Sequence, residues 1–249
     1  MSHFSVAVLS RSTKDVEALL APYSEFDETL YEFDETDIAD DERRYNESQE
    51  LRDQYPTPHS YLTEYCGYTY DEDSNTYGYM CNPNAKWDWF EQGGRFDNML
   101  TLKPGRLGTT DGLMDRLMNP YAPWKCNQAR LGELRFDRDE AAYQRALRFW
   151  EVAVEGSPQQ ADEKFFIYLT PEYYTEKYES KEEYAESQAG FRTYAFITPD
   201  GTWYDEGEMG YFGISMSTSQ TIKSYDDAFQ KYVMQGDPSL FITIVDCHI

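Results

Sequence analysis

Residues 3–9 read HFSVAVL and residues 239–246 read SLFITIVD, and these two stretches at opposite ends of the chain decide the predicted fold. Both are rich in aliphatic and β-branched residues, and both are apolar at consecutive positions. A strand of this kind is costly at an exposed edge, because both of its faces need cover. We therefore predict that the two stretches are strands of one sheet and neighbours in its middle.

Helical patterns lie between these strands. Ser12 with Asp15 predicts a capping box for a short first helix. Asp137 with Glu140 predicts the start of the clearest helix, because apolar residues follow at helical spacing. The same spacing over residues 222–233 predicts a last helix.

Three further patterns lie before that last helix. Residues 164–169, KFFIYL, read as a strand, and Pro171 opens a predicted charged helix that runs to about Ser187. The Pro-Asp-Gly sequence at residues 199–201 predicts a turn between two short strands. A hairpin is expected there.

Strands, helices and hairpins interspersed in this way are typical of an α+β fold. We predict a single domain over residues 1–249, with a mixed or mainly antiparallel central sheet flanked by helices. Residues 24–76 are expected to form an acidic helical insertion within it, because they hold seventeen acidic and three basic residues, a net charge of −14. Within the insertion, residues 36–54 are helix-compatible and almost wholly polar, which predicts a solvated helix or a mobile segment.

The overall charge bears on the choice of partner. The chain has 22 Lys and Arg against 46 Asp and Glu, a net charge of −24. This charge repels nucleic acid and anionic membranes, so a basic protein surface is the more natural partner. No apolar run approaches the ~20 residues of a membrane span, and no signal-peptide pattern opens the chain. We predict a cytoplasmic protein that binds neither membranes nor nucleic acid directly.

Motifs for metals and cofactors are missing from the sequence. The four cysteines have no CxxC spacing, and three histidines leave little for a zinc site. Reduced thiols are the simplest expectation. There is no phosphate-binding glycine loop, zinc-protease motif or hydrolase elbow. The sequence therefore predicts neither a metal nor a cofactor.

Residues 82–96, NPNAKWDWFEQGGRF, are the stretch most indicative of a site. In an extended strand Trp87 and Trp89 share one face, while Lys86 and Asp88 share the other. An ordinary core strand does not need this mixture of large aromatic and charged residues. The stretch is predicted to present both indoles on one side and both charges on the other.

The end of this stretch adds a Gly-Gly turn and a cation. Gly93 and Gly94 allow a backbone conformation or a close approach that a Cβ would block, and Arg95 offers a rigid fork of donors. In a structural interpretation, the tryptophans anchor the core and Arg95 braces a loop. In a functional one, Lys86 and Arg95 bind an anion beside the indoles, as suits a nucleotide or phosphorylated ligand.

Two other positions are candidates for the same site. Asp246 and His248 share a face at the end of the last strand, where an Asp can orient an imidazole for acid–base work or metal binding. Alternatively, both brace a neighbouring loop at the sheet edge. Glu208 is either exposed in a structural turn or lies in a loop that brings its carboxylate to Lys86 and Arg95.

Several blocks of the sequence resemble a known family. The blocks HFSVAVL, NPNAKWDWFEQGGRF, NQARLGEL, TPDGTWYDEGEMGYFG and VDCHI are similar to those of uncharacterised proteins carried by bacteriophages and prophage-bearing bacteria, and they span His3 to Ile249. Phe90 and Phe96 stand where the resemblance leads us to expect Tyr or Trp, and the acidic stretch is a larger departure. The resemblance implies a phage-type accessory protein in the cytoplasm of a bacterial host cell and carries no activity with it.

Two functions of different classes follow. The first is an acidic binding and inhibitory protein that occupies a basic, nucleic-acid-binding surface of a host defence protein, as a DNA mimic does. The residues assigned to that acidic face are Asp37, Asp40, Asp41 and Glu42. The second is an enzyme or sequestering protein for a nucleotide or phosphorylated ligand. Its ligand-binding candidates are Lys86, Trp87, Asp88, Trp89, Arg95 and Glu208, and its catalytic candidates are Asp246 and His248. A protein that only assembles with itself is a third possibility.

Overall fold

The chain folds into strands and helices of an α+β protein. A computed structural model describes residues 2–109, 124–207 and 217–249. The described strands are β1 His3–Ser10, β2 Glu32–Glu35, β3 Thr69–Asp71, β4 Thr76–Cys81, β5 Trp89–Gln92, β6 Leu100–Leu102, β7 Lys125–Cys126, β8 Gln128–Arg130, β9 Leu134–Arg135, β10 Ala195–Ile197, β11 Trp203–Asp205 and β12 Phe241–His248. The described helices are α1 Val16–Leu20, α2 Ala39–Glu47, α3 Gln49–Gln54, α4 Pro58–Ser60, α5 Glu140–Ala153, α6 Pro171–Lys177, α7 Lys181–Ala189 and α8 Ser219–Phe229.

Two compact units share the chain. The sheet unit comprises Met1–Leu20 and Trp89–Ile249, and the acidic unit comprises Ala21–Asp88. The acidic insertion predicted for residues 24–76 lies within the acidic unit. Among the residues that the structure describes, no helix is long and apolar enough to cross a membrane.

The sheet unit is built on a mixed sheet with the order β11-β10-β1-β12-β5. Strand β1 runs antiparallel to β12 along its whole length, from His3 opposite His248 to Ser10 opposite Phe241, and parallel to β10. Strand β12 also pairs with β5 near its end and with β8 near its start. The prediction that the two ends of the chain are neighbours in one sheet is confirmed.

Burial explains why β1 and β12 are apolar at consecutive positions. In each strand every residue after the first is buried, so both faces are covered. One face contributes Ala7, Leu9, Ile242 and Ile244 to the main core, against residues of α8 such as Tyr225. This face loses its apolar character toward His3 and His248.

The acidic unit has a core of tyrosines. Tyr45, Tyr61, Leu62 and Tyr68 are buried together, and the rings of Tyr45 and Tyr61 lie 5.3 Å apart. Helices α2 and α3 are otherwise solvated, as their polar sequence predicts. The strands β2, β4 and β3 add a small antiparallel sheet to this unit.

Two sequence predictions near α5 are wrong. The helix is capped by Asp139, whose carboxylate accepts the N–H of Ala142 at 3.1 Å, and Asp137 instead pairs with Arg135. Residues 164–169 form no strand, although their composition predicts one. A β-prone segment needs a partner strand to become part of a sheet, and none lies beside it in the described ranges.

The charged helix predicted from Pro171 to about Ser187 is divided in two. Helix α6 ends at Lys177, where the N–H of Tyr178 bonds to Tyr174, and α7 begins at Lys181. The hydroxyl of Ser180 accepts the N–H of Glu183 at 3.1 Å and caps the second helix. A serine three residues before a Glu is a helix start signal that overrides continued periodicity.

Candidate functional site

Polar and aromatic side chains gather at one end of the central sheet. His3 lies opposite His248, and His248 lies opposite Trp89. Paired residues point to the same face, and so do residues two apart in one strand. Asp246 therefore shares this face with all three. The sheet places two imidazoles, a carboxylate and an indole side by side.

The Asp246 carboxylate is the centre of this cluster. It is buried, and its two oxygens are used separately: Oδ1 accepts from Nδ1 of His3 at 2.9 Å, and Oδ2 accepts the backbone N–H of Arg95 at 2.8 Å. A buried carboxylate needs such donors, because burial without them is costly. The imidazole that Asp246 orients is that of His3, whereas the sequence prediction named His248. Asp246 also braces the Arg95 loop, as the structural interpretation predicted.

Glycine is required where that loop meets Asp246. Gly94 has φ +53°, and a Cβ built on it would lie 2.5 Å from the Asp246 carboxylate. Gly93 has φ +77°, and its Cβ would lie 2.4 Å from the Asn127 amide. Both glycines therefore allow a positive φ and a close approach, as the sequence predicted.

Buried Asn127 holds the other side of the loop. Its side-chain oxygen accepts the N–H of Asn98 at 2.6 Å, its amide donates to Asp97 at 2.5 Å, and its carbonyl accepts from Ile244 at 2.8 Å. The loop from Gly93 to Asn98 is fixed between Asn127 and Asp246. Arg95 therefore leaves the sheet from a rigid backbone.

Aromatic contacts complete the cluster. The Trp89 indole stacks on His248 with ring centroids 5.4 Å apart and an angle of 17°, and the edge of His3 meets both rings. His248 is buried beneath the indole, while Trp89 is 43% exposed. The indole keeps surface for another planar group.

Arg95 is the cation whose backbone this cluster holds. Its side chain is exposed, and its guanidinium forms no ion pair with any residue that the structure describes. Its backbone N–H is fixed on Asp246, two residues before the His248 on which Trp89 stacks. Two residues along a strand span about 7 Å. The backbone of Arg95 and the Trp89 indole therefore lie at the same end of the sheet.

Cysteine chemistry is excluded at this position. Cys247 lies between Asp246 and His248 but points to the opposite face, where it is buried. Burial, and then the charge of Asp246, raises the pKa of its thiol well above its usual range. The thiol therefore stays protonated and is not a nucleophile. In the described part of the chain, no group of three or more His, Cys, Asp or Glu residues is arranged to hold a metal ion.

The first half of the predicted motif lies elsewhere. Strand β5 begins only at Trp89, so the prediction that Trp87 and Trp89 share a strand face is wrong. Trp87 is 8% exposed and bridges to Ser24 within the acidic unit. The backbone of Lys86 bonds to Tyr23 in the same unit at 2.8 Å. The two indoles therefore belong to different units.

Lys86 and Asp88 consequently belong to the acidic unit, whereas Arg95 belongs to the sheet unit. Their assembly into one recess with Arg95 stays a prediction. Glu208, the remaining ligand-binding candidate, lies outside the described residues.

The four acidic-face candidates are not equivalent. Asp40 and Glu42 are exposed in the first turn of α2, where a negative charge suits the helix dipole. Asp37 accepts the N–H of Ala39 at 2.9 Å, and Asp41 accepts the hydroxyl of Tyr68 at 2.7 Å. Asp37 and Asp41 therefore also support the local structure of the acidic unit.

His3 and Asn127 are the two site residues that sequence reasoning missed. The predicted pairing of the first and last strands could have identified His3, because a full antiparallel register brings residue 3 opposite residue 248. Nothing in the local sequence marks Asn127, since its partners are far from it along the chain.

The sequence matches no family model, and comparisons with curated proteins and with solved structures give no match either. The resemblance to phage proteins therefore stays a prediction.

Proposed function

We propose that the chain binds a small, planar, anionic ligand of the nucleotide type at the end of the central sheet. The observation that carries this proposal is the convergence of His3, Asp246, His248 and Trp89 on one face, with Arg95 beside them. The exposed indole offers a stacking surface, and the guanidinium offers a bidentate partner for phosphate. Either an enzyme or a sequestering protein can use such a site.

The His3–Asp246 pair favours proton transfer at this site. A carboxylate that accepts from Nδ1 fixes the ring orientation and leaves Nε2 as the nitrogen for a ligand. A ligand that gives up or receives a proton next to a phosphate is the natural substrate class.

Calorimetry with mono-, di- and cyclic nucleotides tests the binding step. We expect Arg95→Ala to weaken binding of the preferred nucleotide at least about tenfold, the loss of one charge-assisted contact. Arg106→Ala is the matched control, because Arg106 is an exposed arginine of the same unit. No nucleotide binding by the wild-type protein, or equal loss in both variants, would contradict the proposal.

His3→Gln separates binding from proton transfer. Glutamine keeps a polar side chain at this position but cannot carry the proton. If the site is catalytic, turnover of the bound nucleotide should fall while its dissociation constant changes little. If both stay unchanged while the melting temperature falls, His3 has only a structural role.

A second candidate function rests on the acidic unit. More than half of the chain's net negative charge lies in Ala21–Asp88, which packs as a unit of its own and exposes apolar side chains such as Phe26 and Tyr79. Charge concentrated on one compact body favours a protein partner with a basic surface. The phage resemblance suggests a host defence protein whose nucleic-acid-binding surface is occupied in this way.

Charge reversal tests this second function. Asp40→Lys with Glu42→Lys reverses two charges of the acidic face and leaves the hydrogen bond between Tyr68 and Asp41 in place. Asp162→Lys with Glu176→Lys makes the same charge change at exposed positions of the sheet unit. We expect the first pair to reduce capture of a host protein and its salt dependence, and the second pair to do neither. Equal effects of both pairs would show that capture depends on the total charge of the chain and not on the acidic face.

A further inference from the structure

A groove lies between helices α5 and α7 of the sheet unit, away from the sheet-end site. Its floor is made of small residues of α5, and its walls are aromatic. The cavity measures about 600 Å³, and the residues that form its apolar lining are Ala141, Ala142, Ala146, Phe149, Phe165 and Tyr184. A cavity of this volume accommodates a large side chain together with the residues adjacent to it in the chain.

An apolar strip continues from one wall of this groove. Phe166 is 73% exposed, and the next three residues, Ile167, Tyr168 and Leu169, are also exposed. Four consecutive large apolar residues at the surface are unusual in a chain with 27% charged residues. Their backbone makes no hydrogen bond with other backbone groups in the described ranges.

The wall is nonetheless fixed at its base. Arg148 of α5 donates from Nε and Nη2 to the two carboxylate oxygens of Glu163 at 2.6 and 3.1 Å. Phe165 then meets Phe149 edge to face, with centroids 5.5 Å apart. The groove is therefore a preformed feature.

Two cations and one carboxylate, that of Asp139, flank the groove, and Asp139 is engaged in capping α5. Arg145 and Lys164 are exposed, and neither forms an ion pair with a residue that the structure describes. The neighbouring Arg138 and Arg148, by contrast, each bind two carboxylates. Acidic residues outnumber basic ones by 46 to 22, so two unpaired cations at one groove favour an acidic occupant.

The acidic unit exposes an aromatic side chain between acidic residues, which is complementary to the apolar groove and its two cations. Phe26 is 65% exposed and stands between acidic neighbours, with Glu25 and Glu28 also exposed. The turn is held in shape, because the N–H of Phe26 bonds to Ser24 and the hydroxyl of Tyr31 bonds to the carbonyl of Glu25. A large apolar side chain thus projects from a rigid acidic turn.

We propose that the groove of one molecule receives the Phe26 turn of a second copy of this chain. Phe26 lies over the alanine floor against Phe149 and Phe165, and Glu25 and Glu28 lie against Arg145 and Lys164. Burial of one aromatic ring supplies the affinity, and the charges select the acidic turn. Net repulsion between two acidic molecules opposes the contact, so the association is weak at low salt.

Sedimentation velocity of the full chain over a wide concentration range tests this proposal. We expect an apparent mass that rises above the 29.2 kDa of the single chain as concentration increases. Phe26→Ser and Arg145→Glu with Lys164→Glu should each raise the dissociation constant by about tenfold or more. The matched control is Arg11→Glu with Lys14→Glu, which reverses two exposed cations away from the groove.

A compensating reversal makes the test specific. Glu25→Lys with Glu28→Lys should weaken association alone and restore it when combined in one chain with Arg145→Glu and Lys164→Glu. A mass of 29.2 kDa at every concentration overturns the proposal. So does an assembly that responds equally to the groove and control reversals, or one that the combined variant does not restore.

Discussion

The cores of the two units are built from different side chains. The sheet unit buries aliphatic residues such as Ile242 and Ile244 between fully paired strands, and only part of its core is aromatic. The acidic unit buries Tyr45, Tyr61 and Tyr68, whose hydroxyls must find partners or remain costly. An aliphatic core responds to lost volume, whereas a tyrosine core also responds to the ionisation of its phenols and of the carboxylates around them.

The largest expected effect is the loss of volume in the sheet unit. Ile244→Ala should lower the free energy of unfolding by about 2–5 kcal/mol, because Ile244 is fully buried in the central strand. Urea unfolding followed by tryptophan fluorescence measures this change. Hydrogen exchange at Tyr45 and Tyr61 should stay unchanged if the acidic unit is stable by itself, and a matching loss there would show that one cooperative unit includes both cores.

Alkaline pH should act on the acidic unit instead. Burial raises the pKa of Tyr61 to about 12, and a hydrogen bond to Asp41 together with burial raises the pKa of Tyr68 further. A raised pKa means that the folded state favours the neutral phenol. This stability is complete below the unfolded value of about 10 and is lost as pH rises through the folded value.

Ultraviolet absorbance of tyrosinate, with circular dichroism, measures that transition between about pH 10 and pH 12. Tyr61→Phe should remove part of the pH dependence, because its ring stays buried without an ionisable group. Tyr31→Phe is the control, since Tyr31 belongs to the same unit but lies outside the tyrosine core. The same loss of pH dependence in both variants would contradict a role for the buried phenol.

A smaller effect is expected from one hydroxyl. Tyr68→Phe removes the 2.7 Å bond to Asp41 and should lower the stability of the acidic unit by about 1 kcal/mol, as is usual for one hydrogen bond. Thermal unfolding of the double variant with Asp41→Asn completes a cycle. Additive effects would show that the bond contributes nothing.

Sequence patterns predicted the parts of the molecule that depend on neighbouring residues or on an unusually apolar composition. The first and last strands are apolar on both faces, which requires a central position, and the Gly93–Gly94 turn is recognisable because only glycine fits it. The position of Asp246 and His248 on one face follows from strand alternation. These features constrain the end of the sheet where the candidate site lies.

Other features depended on tertiary contacts that the sequence does not display. The boundary between the units falls between Asp88 and Trp89, so the two tryptophans of one motif belong to different units, one buried and the other exposed. Residues 164–169 have the composition of a strand and no partner strand in the described ranges. The partner of Asp246 is His3, at the far end of the chain, and only the strand register brings them together.

The smallest expected effect concerns a single exposed charge of the acidic unit. Asp40 and Arg43 lie 2.8 Å apart one turn along α2, but both are exposed, and such pairs contribute little in water. Asp40→Asn should therefore change the free energy of unfolding by less than about 0.5 kcal/mol. The removed charge also relieves repulsion among many neighbouring carboxylates, which offsets the lost pair and the lost helix-dipole interaction.

Salt should test this balance, because it screens the exposed charges and brings the variant and the wild type to the same stability. Thermal unfolding at low and high salt measures the difference, and a loss that persists at high salt would mean that Asp40 is bound more tightly than its exposure indicates.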